Sequence, residues 1–170
     1  MTAFVALLRA VNVGGRQLAM ADLKRIAGEL GLDNPTTYIA SGNLLFASRK
    51  SERELKKALE TAIENHMGKP VGVMIRTAGD MAAVAAANPF ADQPGNRVVA
   101  IFLDASPPKD TVTAAKNVAD ERIALGRREI YVHYPNGQGP SKLKIPAVAT
   151  GTARNMNSVA KLAEMAKEMA

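Results

Sequence analysis

No cysteine occurs among the 170 residues. Disulfides, thiolate zinc sites and cysteine nucleophiles are therefore excluded together, and the composition suits a reducing compartment. Aromatic residues make up 4% of the chain, few for the stacking platforms with which proteins hold single-stranded nucleic acid. The two histidines, His66 and His133, stand at ligand spacing from neither another histidine nor a pair of carboxylates, so no metal site is expected. A magnesium ion recruited by a substrate phosphate is the one metal left open. There is no G-x-S-x-G elbow, and Ser41 sits in a turn, where serine commonly bonds nearby backbone. No apolar run approaches the ~20 residues of a membrane span. The N-terminal apolar run has no basic residue before it and no small-x-small cleavage pattern at the right distance, so a signal peptide is not expected. These absences give the expectation of a cytoplasmic protein with no membrane partner.

What is present is a hydrophobic content of 47%, ordinary for a globular chain. Its length suits one domain or two subdomains. Net charge is +6, and residues 122–161 alone carry seven basic side chains against one acid, Glu129. Such a concentration attracts anions over roughly a Debye length, ~8 Å at physiological salt. It is equally what a solvated, solubilising face looks like.

The apolar pattern predicts a buried strand over 2–10, a helix over 19–30 closed by Gly31, strands over 36–40 and 44–47 around a Ser41-Gly42-Asn43 turn, a helix over 51–66 opened by a capping box, and a strand over 71–76. This βαββαβ order is the split-βαβ, ferredoxin-like arrangement. A helix over 79–87 ends at Asn88-Pro89. The pattern then returns: a strand over 98–103, a helix over 108–119, a hairpin of 122–125 with 129–134, a helix starting near Ser141, a short strand over 151–154 and a terminal helix over 156–169. The expected fold is therefore α+β, with duplicated ferredoxin-like (βαββαβ) halves and an added C-terminal helix. The expected divisions are 1–78, a connecting helix and linker over 79–97, and 98–170.

Two glycine-rich turns stand where phosphate binding is physically favoured, between a strand and a helix start. The first holds Asn12, Gly14 and Gly15; the second, Asn136-Gly137-Gln138-Gly139-Pro140-Ser141-Lys142, adds a lysine and a hydroxyl. Neither matches G-x-G-x-x-G or a P-loop, and each also reads as a plain turn. Ahead of the last helix stand Thr152, Arg154, Asn155 and Asn157. One asparagine suffices as N-cap. Arg154 is electrostatically misplaced at a helix N-terminus unless an anion lies between them.

Together these stretches are recognisable. Residues 8–15 (LRAVNVGG), 38–46 (YIASGNLLF), 88–90 (NPF), 134–143 (YPNGQGPSKL) and 152–162 (TARNMNSVAKL) resemble the bacterial domain of unknown function 1697 family, in order and from near residue 3 to 163. The family usually has glycine where this chain has Ala10, glutamine at Ala40 and tryptophan at Met156. The last departure removes a stacking surface. The resemblance implies a duplicated ferredoxin-like fold and no established activity.

The expectation for function is a protein that binds a phosphate-bearing or other anionic small molecule in a polar cleft between the halves. Its ligand-binding residues are Arg9, Asn12, Gly14, Gly15, Ser41, Asn43, Lys142, Arg154, Asn155 and Asn157. The alternative is a metal-independent or magnesium-dependent enzyme acting on such a ligand, with Asp22 or Glu129 as base, or a nucleic-acid or protein interaction module. No cofactor and no oligomeric state are legible.

Overall fold

Five successive apolar side chains, Phe4 to Leu8, suit a strand covered on both faces. In the computed structural model, which describes residues 1–11 and 17–170, they lie in β1 (Thr2–Leu8), and residues 3–8 are all buried. After α1 (Met20–Glu29) come β2 (Asp33–Thr37), β3 (Asn43–Ser48), α2 (Glu52–Met67) and β4 (Val73–Thr77). The four strands form one antiparallel sheet in the order β2-β3-β1-β4. Phe4 stands opposite Phe46, their rings stacked at 5.8 Å. The face carrying Phe4, Ala6, Leu8, Leu44, Phe46 and Ile75 packs on Leu23 and Ala27 of α1 and Leu55, Leu59 and Ile63 of α2. Each of these leucines and isoleucines stabilises by ~1.5–3 kcal/mol relative to exposure.

Helix ends follow local chemistry. Gly31, at φ 76°, closes α1: its N–H reaches Gly28 O and that of Leu32 reaches Ala27 O, the paired bonds of a Schellman motif. Ser51 Oγ accepts the Glu54 N–H and donates to Glu54 Oε1, so the capping box at α2 closes side chain to side chain. Farther along α2, Glu60 Oε2 accepts the Val73 N–H at 2.9 Å, while Lys56 Nζ donates to Val73 O at 2.7 Å. Thr77 and Asp80 exchange backbone-to-side-chain bonds at the start of α3 (Ala78–Ala86).

A second sheet contains β5 (Val98–Phe102), β6 (Arg122–Leu125), β7 (Glu129–His133) and β8 (Thr152–Asn155), antiparallel in the order β6-β7-β5-β8. One face, with Val99, Ile101, Ile130, Val132 and Tyr134, packs on Ile145, Leu143 and Val148. The chain divides into two units, Met1–Ala82 with Leu162–Ala170, and Ala83–Lys161. The terminal helix α5 (Met156–Met169) is shared between them. Among the described residues, no helix is long and apolar enough to cross a membrane.

Two expected helices are corrected. The helix expected over 108–119 is only the four residues of α4 (Thr111–Ala114). Thr111 and Thr113 hydroxyls bond back to Pro108 O and Asp110 O, Lys116 pairs with Lys144 as an isolated bridge, and Asn117 turns left-handed at φ 58°. Side chains that satisfy the backbone locally compete with the helix. No α-helix begins near Ser141. Residues 141–145 are irregular and lead into a 3-10 turn, Pro146–Thr150; a proline at 146 lacks the N–H that a longer helix needs there. The strand expected over 36–40 runs instead over Asp33–Thr37, because Ile39 adopts φ 50° and cannot extend it.

Candidate functional site

The end of β1 is where the first unit's expected residues meet. Arg9 is half-buried. Its N–H donates to Gly72 O at 2.8 Å, and its Cβ and Cδ stand 3.7 Å from where a β-carbon on Gly72 would lie. Leu8 N donates to Gly42 O, also at 2.8 Å. Gly42, at φ 85°, has no room for a side chain: a β-carbon would come within 2.6 Å of Val11 Cγ2 and 2.9 Å of Leu8 Cβ. Asn43 is fully buried, its Nδ2 donating to Tyr38 O at 2.9 Å and to Ser41 Oγ at 3.0 Å. Ser41 itself is exposed. The structure thus brings Ser41 and Asn43 into direct contact in a turn bonded to β1 beside Arg9. Asn12, Gly14 and Gly15 lie outside the described residues.

Left-handed backbone concentrates in the same place. Besides Gly42, Ala10 sits at φ 54° and Ile39 at φ 50°. For a β-branched residue this is an outlier, and Ile39 offsets it with no burial, being 52% exposed.

In the second unit Arg154 belongs to β8, as the short strand expected over 151–154 has it, in register with Ala100 and ahead of the α5 start. Its side chain is buried, and Nη1 donates to Thr152 Oγ1 at 2.8 Å and to Ala153 O at 2.9 Å. Burial lowers its pKa to about 10. By strand alternation it shares a face with Phe102, Tyr131 and the buried Glu129 and His133. Among the described residues His133 Nδ1 has no hydrogen-bond partner, and its ring lies 5.7 Å from that of Phe90. Asn155 is the N-cap of α5: its Oδ1 accepts the Ser158 N–H at 2.9 Å. Asn157 is exposed and packs against Gly95, where a β-carbon would lie 2.8 Å from Asn157 Cγ.

Lys142 is exposed on the other side of that sheet, in the segment whose Leu143 and Ile145 pack on the opposite face from Arg154. It lines a groove of about 720 Å³ between residues 117–121 and 134–142. Two side-chain bonds tie its walls: Asn136 Nδ2 to the Asp120 carboxylate, and Ser141 Oγ to Glu121 Oε2 at 2.5 Å. The Ser141 hydroxyl, then the Ala119 N–H, hold the Glu121 carboxyl below its ordinary range. Burial and, after it, the Glu121 charge push the Tyr134 phenol up. Sequence reasoning reached Lys142 through the glycine-rich turn but missed Asp120, Glu121 and Tyr134. No local motif carries Asp120 and Glu121, which side-chain bonds over 16 and 20 residues bring to the turn, whereas Tyr134 opens the 134–143 stretch and was read there only as part of a resemblance. Among the described residues, no group of three or more histidines and carboxylates could hold a metal ion.

A solved structure of a conserved bacterial protein from Streptococcus pneumoniae, SP0830, is similar over 98% of this chain and 99% of its own, with a TM-score of 0.82 and 27% identity. No curated protein matches. The family model described as "Protein of unknown function (DUF1697)" matches residues 1–131; the resembling stretches at 134–143 and 152–162 lie beyond that range. With three quarters of its length under that model, the chain belongs to the DUF1697 family of proteins of unknown function.

Proposed function

We infer that the protein binds an anionic small molecule, phosphate-bearing by first preference, at the turn cluster around Arg9, with the Ser41 hydroxyl as a neutral partner. The observation that carries this reading is backbone strain. Two residues without glycine's freedom are held left-handed here, Ala10 directly after that arginine and Ile39 in the turn whose Gly42 O accepts the Leu8 N–H. Such conformations cost ~1–3 kcal/mol each, persist only where the surroundings over-determine them, and cluster at ligand clamps. An arginine is the side chain whose planar fork suits a phosphate best. The duplicated ferredoxin-like arrangement, with subdomains at 1–78 and 98–170 joined by 79–97, belongs to the same proposal. Its support is that each sheet has its own first strand between its third and fourth. A cytoplasmic location goes with the cysteine-free composition.

Thermal unfolding in inorganic phosphate, pyrophosphate and ATP is the test, each compared with chloride at equal ionic strength. At least one should raise the midpoint, and Arg9→Ala should abolish the rise while leaving the unliganded midpoint within a few degrees. No rise from any of them, or a rise that survives Arg9→Ala, would refute the assignment.

A further inference from the structure

The groove between residues 117–121 and 134–142 is a different place from the turn cluster and has a different character. Its volume of about 720 Å³ falls in the range of small-molecule pockets, roughly 300–1,000 Å³. One wall carries Asp120 and Glu121, and the other carries Lys142. The two carboxylates are held in place from across the groove, Asp120 by Asn136 and Glu121 by Ser141. Lys142 makes no hydrogen bond or ion pair with the described residues, so its ammonium is available. The lining also has an apolar share, Val118, 50% exposed, with Ala119 and Pro140, beside the polar Asn117, Asn136 and Ser141.

These features select among ligand charges. A phosphate dianion would face two carboxylates for a single lysine, and a plain cation would meet the lysine. A dipolar molecule satisfies both walls, with its ammonium on the acidic side and its carboxylate on Lys142. Charge-assisted hydrogen bonds of this kind are shorter and stronger than neutral ones. We propose that this groove binds a free amino acid with an apolar side chain, its ammonium held by Asp120 and Glu121, its carboxylate by Lys142, and its side chain against Val118 and Pro140. Fixing Asp120 and Glu121 before the ligand arrives reduces the side-chain ordering that binding requires. The Glu121 carboxyl, held below its ordinary range by Ser141, is ionised at neutral pH.

The test is isothermal titration calorimetry with L-leucine and L-phenylalanine, alongside N-acetyl-L-leucine and L-leucinamide. At least one free amino acid should bind saturably, and the two blocked forms should bind about tenfold or more weaker, since each has lost one charge, worth ~1.4 kcal/mol per tenfold. Asp120→Asn and Lys142→Gln change exposed side chains. Each should weaken binding of the free amino acid by a similar factor while circular dichroism and the thermal midpoint stay unchanged. Arg9→Ala should leave this binding untouched, which separates the outcome from that of the phosphate site. Leucinamide binding as well as leucine would make the groove a cation site, N-acetyl-leucine binding as well would make it an anion site, and no saturable heat from either free amino acid would remove the groove as a site. Each of these outcomes overturns the proposal.

Discussion

Gly42→Ala isolates the geometry at the end of β1. Two costs combine there. The residue stands at φ 85°, where an L side chain costs roughly 1–2 kcal/mol against glycine. Its new β-carbon would also sit 2.6 Å from Val11 Cγ2 and 2.9 Å from Leu8 Cβ. Both neighbours are buried, so backbone or packed side chains must move, which costs typically ~1–3 kcal/mol. The sum is a loss of about 2–5 kcal/mol. For a chain of this size, each kilocalorie lowers the midpoint by roughly 2–4 °C, giving a fall of about 5–20 °C. The control is the same substitution at Gly28, an exposed position in α1 with nothing within 4 Å of a β-carbon. Alanine is the better helix former by up to ~1 kcal/mol, so Gly28→Ala should raise stability. Urea unfolding followed by circular dichroism measures both. If the two variants move together, or if Gly42→Ala costs less than ~1 kcal/mol, the close approach of this turn to β1 is not what the geometry implies.

The two asparagines at α5 should separate in the same assay. Asn155→Ala loses the cap on the Ser158 N–H and should cost ~1 kcal/mol, whereas the exposed Asn157→Ala should stay within about half a kcal/mol; equal effects would refute the capping assignment. Burial, with the Glu129 charge adding to it, pushes the Tyr131 phenol up to about 12. The unfolded chain therefore ionises first, and stability should fall as pH rises from about 10 to about 12. Arg154, lowered to about 10 by burial, acts in the opposite sense, so the comparison with Tyr131→Phe isolates the phenol. The variant should show a smaller loss, since the raised Tyr134 phenol still contributes, and should lack the last-titrating share of phenolate absorbance; an unchanged titration would refute the assignment.

The first unit was legible because its signals are strong and local. The apolar runs of β1 and β3, the four-residue spacing of Leu55, Leu59 and Ile63, and the stop at Gly31 each fix an element with little help from elsewhere. The second unit's connections were not legible. Residues 108–119 carry alanines and valines at helical spacing, yet two threonines bonded back to the chain and a long-range bridge at Lys116 decide the backbone there. Arg154's surroundings were hidden for a related reason: the short strand over 151–154 was legible, but the side chain's burial against Thr152 depends on β5 lying beside it. Strain at Ile39 leaves no mark in composition, while at Ala10 the glycine usual in resembling sequences was the one hint. The groove's acidic wall depends on contacts that no window of sequence contains.

The pair of bonds that α2 sends to Val73 has a consequence for how this protein behaves in a crowd. β4 is the last strand of its sheet, and such a border normally offers unpaired peptide groups on which a strand from another molecule can grow. At Val73 that offer is withdrawn at both atoms: a carboxylate occupies the N–H and an ammonium occupies the carbonyl, each from a helix on the same molecule. The Lys56–Glu60 pair, 2.9 Å apart and partly exposed, thus matters less as an ion pair than as a cover over the rim of the sheet, keeping copies of the chain from stitching themselves together there.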